Sequence, residues 1–126
     1  MNLKILEQVP QEIINFTAGR NSAVTTNIYL RVNQNIPSNL AGFTVPFDAT
    51  IIAISANRNG TGNAWTGEVR VNPSTSAIAS ISLLGSESSK VDNTLSVDVD
   101  EGDILSVFMS GTSINRPKVD VFLIRR

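Results

Sequence analysis

The sequence predicts an all-β fold, an antiparallel β-sandwich of the jelly-roll kind, and three observations carry that prediction. Apolar and polar residues alternate with a period of two almost everywhere after residue 24, the spacing of a half-buried strand. Ser, Thr and Asn supply 37 of the 126 residues. Their side chains compete for backbone hydrogen bonds, which suits turns and disfavours helix interiors. Short apolar runs are separated throughout by Gly, Pro and Asn clusters, which punctuate a sandwich. The length suits one domain with room for a core.

The strands read off in order. In TTNIYLRVN, Ile28, Leu30 and Val32 alternate with Asn27, Tyr29 and Arg31. IPSNLAG is a turn cluster, and GFTVP is a short extended piece ending at Pro46. TIIAISAN follows, and the Asn- and Gly-rich NRNGTGNA reads as its hairpin connection. In AWTGEVRVN, Trp65, Val69 and Val71 face inward while Thr66, Glu68 and Arg70 face water, and Pro73 ends the run. SAIASISLL offers Ala77, Ala79, Ile81 and Leu83 on one face; TLSVDV places Leu95, Val97 and Val99 inward. DILSVFMS and KVDVFLIR close the chain around the turn GTSINRP.

Residues 1–22 depart from the pattern. Leu3, Ile5, Leu6, Val9, Ile13, Ile14 and Phe16 are apolar without a clean period, and Pro10 would break a helix. Two readings fit: an extra edge strand, or an N-terminal arm docking on a partner or neighbouring subunit through Leu3, Ile5, Leu6, Ile13, Ile14 and Phe16. The sandwich proper then spans 23–126.

Three strands are apolar on both faces, whereas a sandwich strand wets one. Ile51 and Ala53 oppose Ile52 and Ile54. Ile104 and Phe108 oppose Leu105, Val107 and Met109, and Phe122 and Ile124 oppose Val119, Val121 and Leu123. A second apolar face needs cover, from loops or the arm within one chain or from another subunit. The subunit reading predicts a homo-oligomer with Ile104, Phe108, Phe122 and Ile124 at the interface.

The stretch DVDEGD, with Asp98, Asp100, Glu101 and Asp103, resembles a site. It fails the calcium-loop pattern, having Gly102 at position 5 and Met109 at position 12. Asp98 and Asp100 share a strand face about 7 Å apart, within the spacing of a glycosidase pair, but a single Trp and a single Tyr offer little sugar platform. Inward Leu95, Val97 and Val99 force Asp98 and Asp100 outward. Glu101-Gly102 then makes a turn that Asp103 caps. The chain has no His and no Cys, which removes His-based triads, thiolate nucleophiles and ordinary zinc sites. The expectation is a non-enzyme with no cofactor and no metal.

Net charge is -1 with a pI near 5.3, and no basic tract exceeds Arg125-Arg126, so nucleic acid is not an expected partner. No apolar run reaches a membrane span, and Glu7, Pro10 and Glu12 interrupt any secretory signal.

From about residue 28, the chain resembles the C-terminal domains of structural proteins on tailed-bacteriophage virions. The resemblance rests on Gly42, Val45, Pro46, Trp65, Glu68, Val69, Arg70, Gly102, Asp103, Gly111, Pro117 and Arg125, in the order G-x-x-V-P, W-x-x-E-V-R, G-D, S-G, P and a closing Arg. Those domains are similar to trimeric jelly rolls of the tumour-necrosis-factor type. The resemblance therefore implies a homotrimer without catalytic residues, located on the virion surface and made in the host cytoplasm. A Met only some twenty residues before the domain favours a capsid decoration (cement) or head-fibre protein, with major capsid or other virion proteins as partners. The alternative it implies is a receptor-binding module at a tail-fibre tip, reading host-surface glycan or protein through loops 57–63 and 85–93.

Overall fold

A computed structural model describes residues 12–33 and 41–126, so the expectations placed on Leu3, Ile5 and Leu6 lie outside the described residues. Strand follows strand: β1 (Ile13–Gly19), β2 (Ala23–Val24), β3 (Ile28–Tyr29), β4 (Arg31–Val32), β5 (Phe43–Thr44), β6 (Ala49–Asn57) and β7 (Trp65–Val71). Then come β8 (Ala77–Leu83), β9 (Ser89–Asp92), β10 (Val97–Val99), β11 (Ile104–Gly111), β12 (Ile114–Asn115) and β13 (Lys118–Arg125).

Two antiparallel sheets pack as a sandwich. The first runs β10-β6-β13-β1-β4, with β9 also on β6; the second runs β3-β11-β7-β8, with β5 also on β11; β12 and β2 form a ribbon. β3 and β5 lie end to end along β11, and β9 and β10 lie end to end along β6. Treating each end-to-end pair as one strand leaves five strands in the first sheet, with β4 at its edge, and four in the second, in jelly-roll order. Residues 13–19 are thus an internal strand of the first sheet, paired with β13 on one side and β4 on the other.

Alternation places the core where the sequence predicts. Val119, Val121 and Leu123 of β13 are fully buried, and so are Leu105, Val107 and Met109 of β11. Phe16 from β1 crosses the interior to stack on Phe43 of the other sheet, with ring centroids 4.8 Å apart. A bulge in β6 breaks the alternation there: Phe122 pairs with Ala53 and Leu123 with Ile51, skipping Ile52. The bulge turns both Ile51 and Ile54 into the core.

One arginine organises the loops at an end of the sandwich. Arg58 is 6% exposed and directs its guanidinium at backbone carbonyls of Asn63, Leu84, Gly85 and Glu87. Gly62 N–H donates to the Gly85 carbonyl at 2.8 Å, and Arg58 N–H to the Ser88 carbonyl at 3.0 Å. The loops after β6 and β8 are therefore one tied structure. Replacing Arg58 with Met would leave several turn carbonyls without a donor. We expect a loss of about 3 kcal/mol, read as a lower denaturant midpoint with unchanged slope in equilibrium unfolding.

Candidate functional site

The acidic stretch forms the polar lip between β10 and β11. Asp98 accepts from Thr50 Oγ1 at 2.7 Å, and Asp100 accepts from Arg126 Nη2 at 3.0 Å. Asp103 accepts from the Asp100 N–H at 2.9 Å, capping a turn whose Gly102 has φ +89°. Asp48 joins from the start of β6, accepting from the Glu101 N–H at 2.9 Å. These carboxylates hold a turn together. Among the described residues, no group of three or more acidic side chains converges on a metal position.

The four predicted interface residues do not meet. Phe122 and Ile124 lie on the outer face of the first sheet, whereas Ile104 and Phe108 lie on the outer face of the second, with the whole core between them. On the first sheet, Ile124 pairs with Ile13, which is 63% exposed, and Phe122 sits beside Ala53 and Asn15. Ile13, Phe122, Ile124 and Ala53 thus make one apolar patch across β1, β13 and β6. Of the residues expected to dock, Ile13 alone is well exposed among those described; Ile14 packs against the core and Phe16 is within it.

On the second sheet the extra apolar face is covered from within the chain. Arg70, expected to face water, is only 9% exposed: its guanidinium lies 4.0 Å above the Phe108 ring. Tyr29 meets the same ring edge-on, at 5.0 Å between centroids. Arg70 donates to Tyr29 Oη and to Glu68 Oε2, each at 3.0 Å. Burial works against its charge, but these two bonds and the Glu68 charge outweigh it, and its pKa lies above the ordinary value. Period-two reading gives the outward direction of Arg70 correctly, but not its burial. The long side chain lies flat along the sheet and covers the ring beside it.

A feature that sequence reading missed lies at the end of the first sheet where β1 stops and β13 starts. A cleft of about 710 Å³ is lined there by Arg20, Arg31, Arg116, Lys118, Asn33 and Asn57, among others. Arg20, Arg31 and Arg116 make no ion pair among the described residues. Burial lowers the Arg20 pKa and the charge of Arg31 lowers it further, and its Nε is buried without a partner among the described residues. No local signal marks these cations, because they are scattered from residue 20 to residue 118 and only strand pairing gathers them.

No known protein family matches the sequence, and no curated protein does. Among solved structures the chain is similar to one from the study "Bacillus endospore appendages form a novel family of disulfide-linked pili". The two share 14% identity with a TM-score of 0.48, over 93% of this chain and 90% of that one. That structure comes from a study of spore appendages and not of a phage. No comparison supports the phage-virion assignment, which is withdrawn. With it go the capsid-decoration, head-fibre and tail-fibre-tip functions and the virion-surface location.

The physical reason is that the motif residues serve the fold. A side chain at Gly42 would collide with the Leu105 carbonyl, and one at Gly111 would come within 2.8 Å of Trp65 Cβ. Val45, Trp65, Val69 and Pro117 are buried, Glu68 and Arg70 pair, and Asp103 caps its turn. Such a pattern records a sandwich and carries no lineage.

The platform over Phe108 supports a measurable expectation. Arg70→Gln strips the cover from Phe108 and leaves Glu68 without its partner. It should cost about 2 kcal/mol of folding stability, read as a drop in thermal midpoint, whereas Thr66→Gln on the same face should be nearly neutral.

Proposed function

We propose that this chain is a non-catalytic structural subunit that associates with copies of itself, as a homotrimer, through the outer face of the first sheet. The single observation that carries the reading is the patch of Ile13, Phe122, Ile124 and Ala53, to which the described residues give no cover comparable to that of Arg70 on Phe108. Burying half-exposed apolar side chains of this size is worth about 1 kcal/mol each, and repetition around a symmetric ring multiplies the gain. Three copies is the stoichiometry of the trimeric jelly rolls of the tumour-necrosis-factor type, and the sedimentation test below decides it.

The non-catalytic reading is supported by a sequence without His or Cys and by carboxylates engaged with Thr50, Arg126 and turn amides. The same lack of Cys excludes disulfide links between copies of this chain. Ile104 and Phe108 fall on the opposite face, so any part they take would be in a different contact from Phe122 and Ile124.

Sedimentation equilibrium at micromolar concentration tests the reading. At about 500 mM sodium chloride, where contacts between charged groups are screened, the expected mass is that of three 13.5 kDa chains, falling to one chain for Phe122→Lys. Because Phe122 is only half-buried within its own chain, the variant should keep its fold. A wild-type mass of one chain in that salt would reject the proposal.

A further inference from the structure

Charge is segregated along the molecule although the chain as a whole is nearly neutral. β13 runs from Lys118 to Arg125, roughly 23 Å at the rise of an extended strand. At its start lie Arg20, Arg31, Arg116 and Lys118, and the nearby Asp120 is already engaged by Thr17 Oγ1 at 2.6 Å and by Lys118 at 3.7 Å. At its finish lie Asp48, Asp98, Asp100, Glu101 and Asp103, against which only Arg126 of the described residues forms ion pairs. One end is a cleft whose guanidinium groups form no ion pair among the described residues, and the other is a strand end and turn at which Asp98, Asp100 and Glu101 are exposed.

From this complementarity we infer that the basic cleft receives the acidic turn of a second copy of this chain, joining subunits head to tail. The partner follows the self-association reading above, but the surface is separate from the Phe122 patch and the contact can exist without it. Guanidinium forks suit carboxylates, and the cleft volume lies within the range of sites that enclose a ligand. Arg20 and Arg31 repel each other in the free cleft, and an entering carboxylate from Asp100 or Glu101 would relieve that repulsion. Such a contact uses two different surfaces, so it is heterologous and propagates into a filament unless a rotation closes it.

The contact should be governed by salt and by charge sign. Light scattering on the full chain carrying Phe122→Lys, which removes the lateral patch, should still show end-to-end association. That association should weaken about tenfold or more when sodium chloride rises from about 50 to about 500 mM. On the same background, Arg31→Glu alone and Glu101→Lys alone should each abolish it, because each sets like charges against one another inside the contact. An equimolar mixture of the two variants should restore it, since every mixed contact is again between opposite charges. Arg31 and Glu101 are exposed, so circular dichroism should show native folding; Lys118→Glu and Asp98→Lys replace them should either variant misfold.

Association that survives Arg31→Glu, or a mixture that stays dissociated, would overturn the inference. So would a sulfated oligosaccharide that binds the cleft while association is unaffected by Arg31→Glu. A wild-type chain that associates end to end in a salt-dependent way but forms no lateral trimer would count against the Phe122 reading alone.

Discussion

The insertion of β13 between β1 and β6 is the constraint on which the rest of this structure depends. The last strand pairs along its length with residues 13–19 on one side and 49–57 on the other, joining the two ends of the described sequence at the centre of one sheet. Its Val119, Val121 and Leu123 have no solvent exposure, so removing or sliding the strand would open the core and both ladders together. A one-residue slip would also exchange its faces, placing Phe122 and Asp120 inside. The bulge at Ile52 keeps this register compatible with β6. Closing so long a loop is entropically costly, and the pairing returns nothing until the chain between the two ends has folded.

Because β13 holds the centre of the sheet, its three remaining aspects set what the outside of the molecule presents. The outward residues Phe122 and Ile124 meet Ile13 and Ala53 and create an apolar face. Its first residue brings Lys118 beside Arg20 and Arg31, and the chain just beyond its last brings Arg126 to Asp100. The lateral patch and the two oppositely charged ends are therefore consequences of a single register. The second sheet uses its own resources differently: Arg70 lies over Phe108, tied by Tyr29 and Glu68, and that face is satisfied within the chain. Two apolar outer faces that look equivalent in sequence thus have different physical standing.

Much of the fold was legible because burial imposes a period of two. The inward residues of β7 and β13, and those of β8 except Ala77, which a register shift leaves exposed, could be assigned from alternation alone, and the acidic stretch could be recognised as a turn because inward Val97 and Val99 leave Asp98 and Asp100 only one direction. β1 was harder. Ile13 and Ile14 are adjacent apolar residues on opposite faces, one on the exposed patch and one against the core, so no period shows. The motif order G-x-x-V-P, G-D and S-G encodes close backbone approaches and turn caps that a jelly roll of this kind requires, so it does not by itself indicate ancestry. Sequence patterning reports what the backbone needs more strongly than what the protein is for.

By itself, then, the sequence determined the all-β class, the inward set of most strands and the exclusion of His- and Cys-based chemistry, because each depends on local alternation or on composition. The tertiary structure alone decided that Phe108 is covered while the described residues leave Phe122 without such cover, that residues 13–19 are an internal strand, and that Arg20, Arg31, Arg116 and Lys118 share a cleft. Those outcomes depend on which distant segments become neighbours. Strand pairing sets that through long-range register, and no local window of sequence contains it.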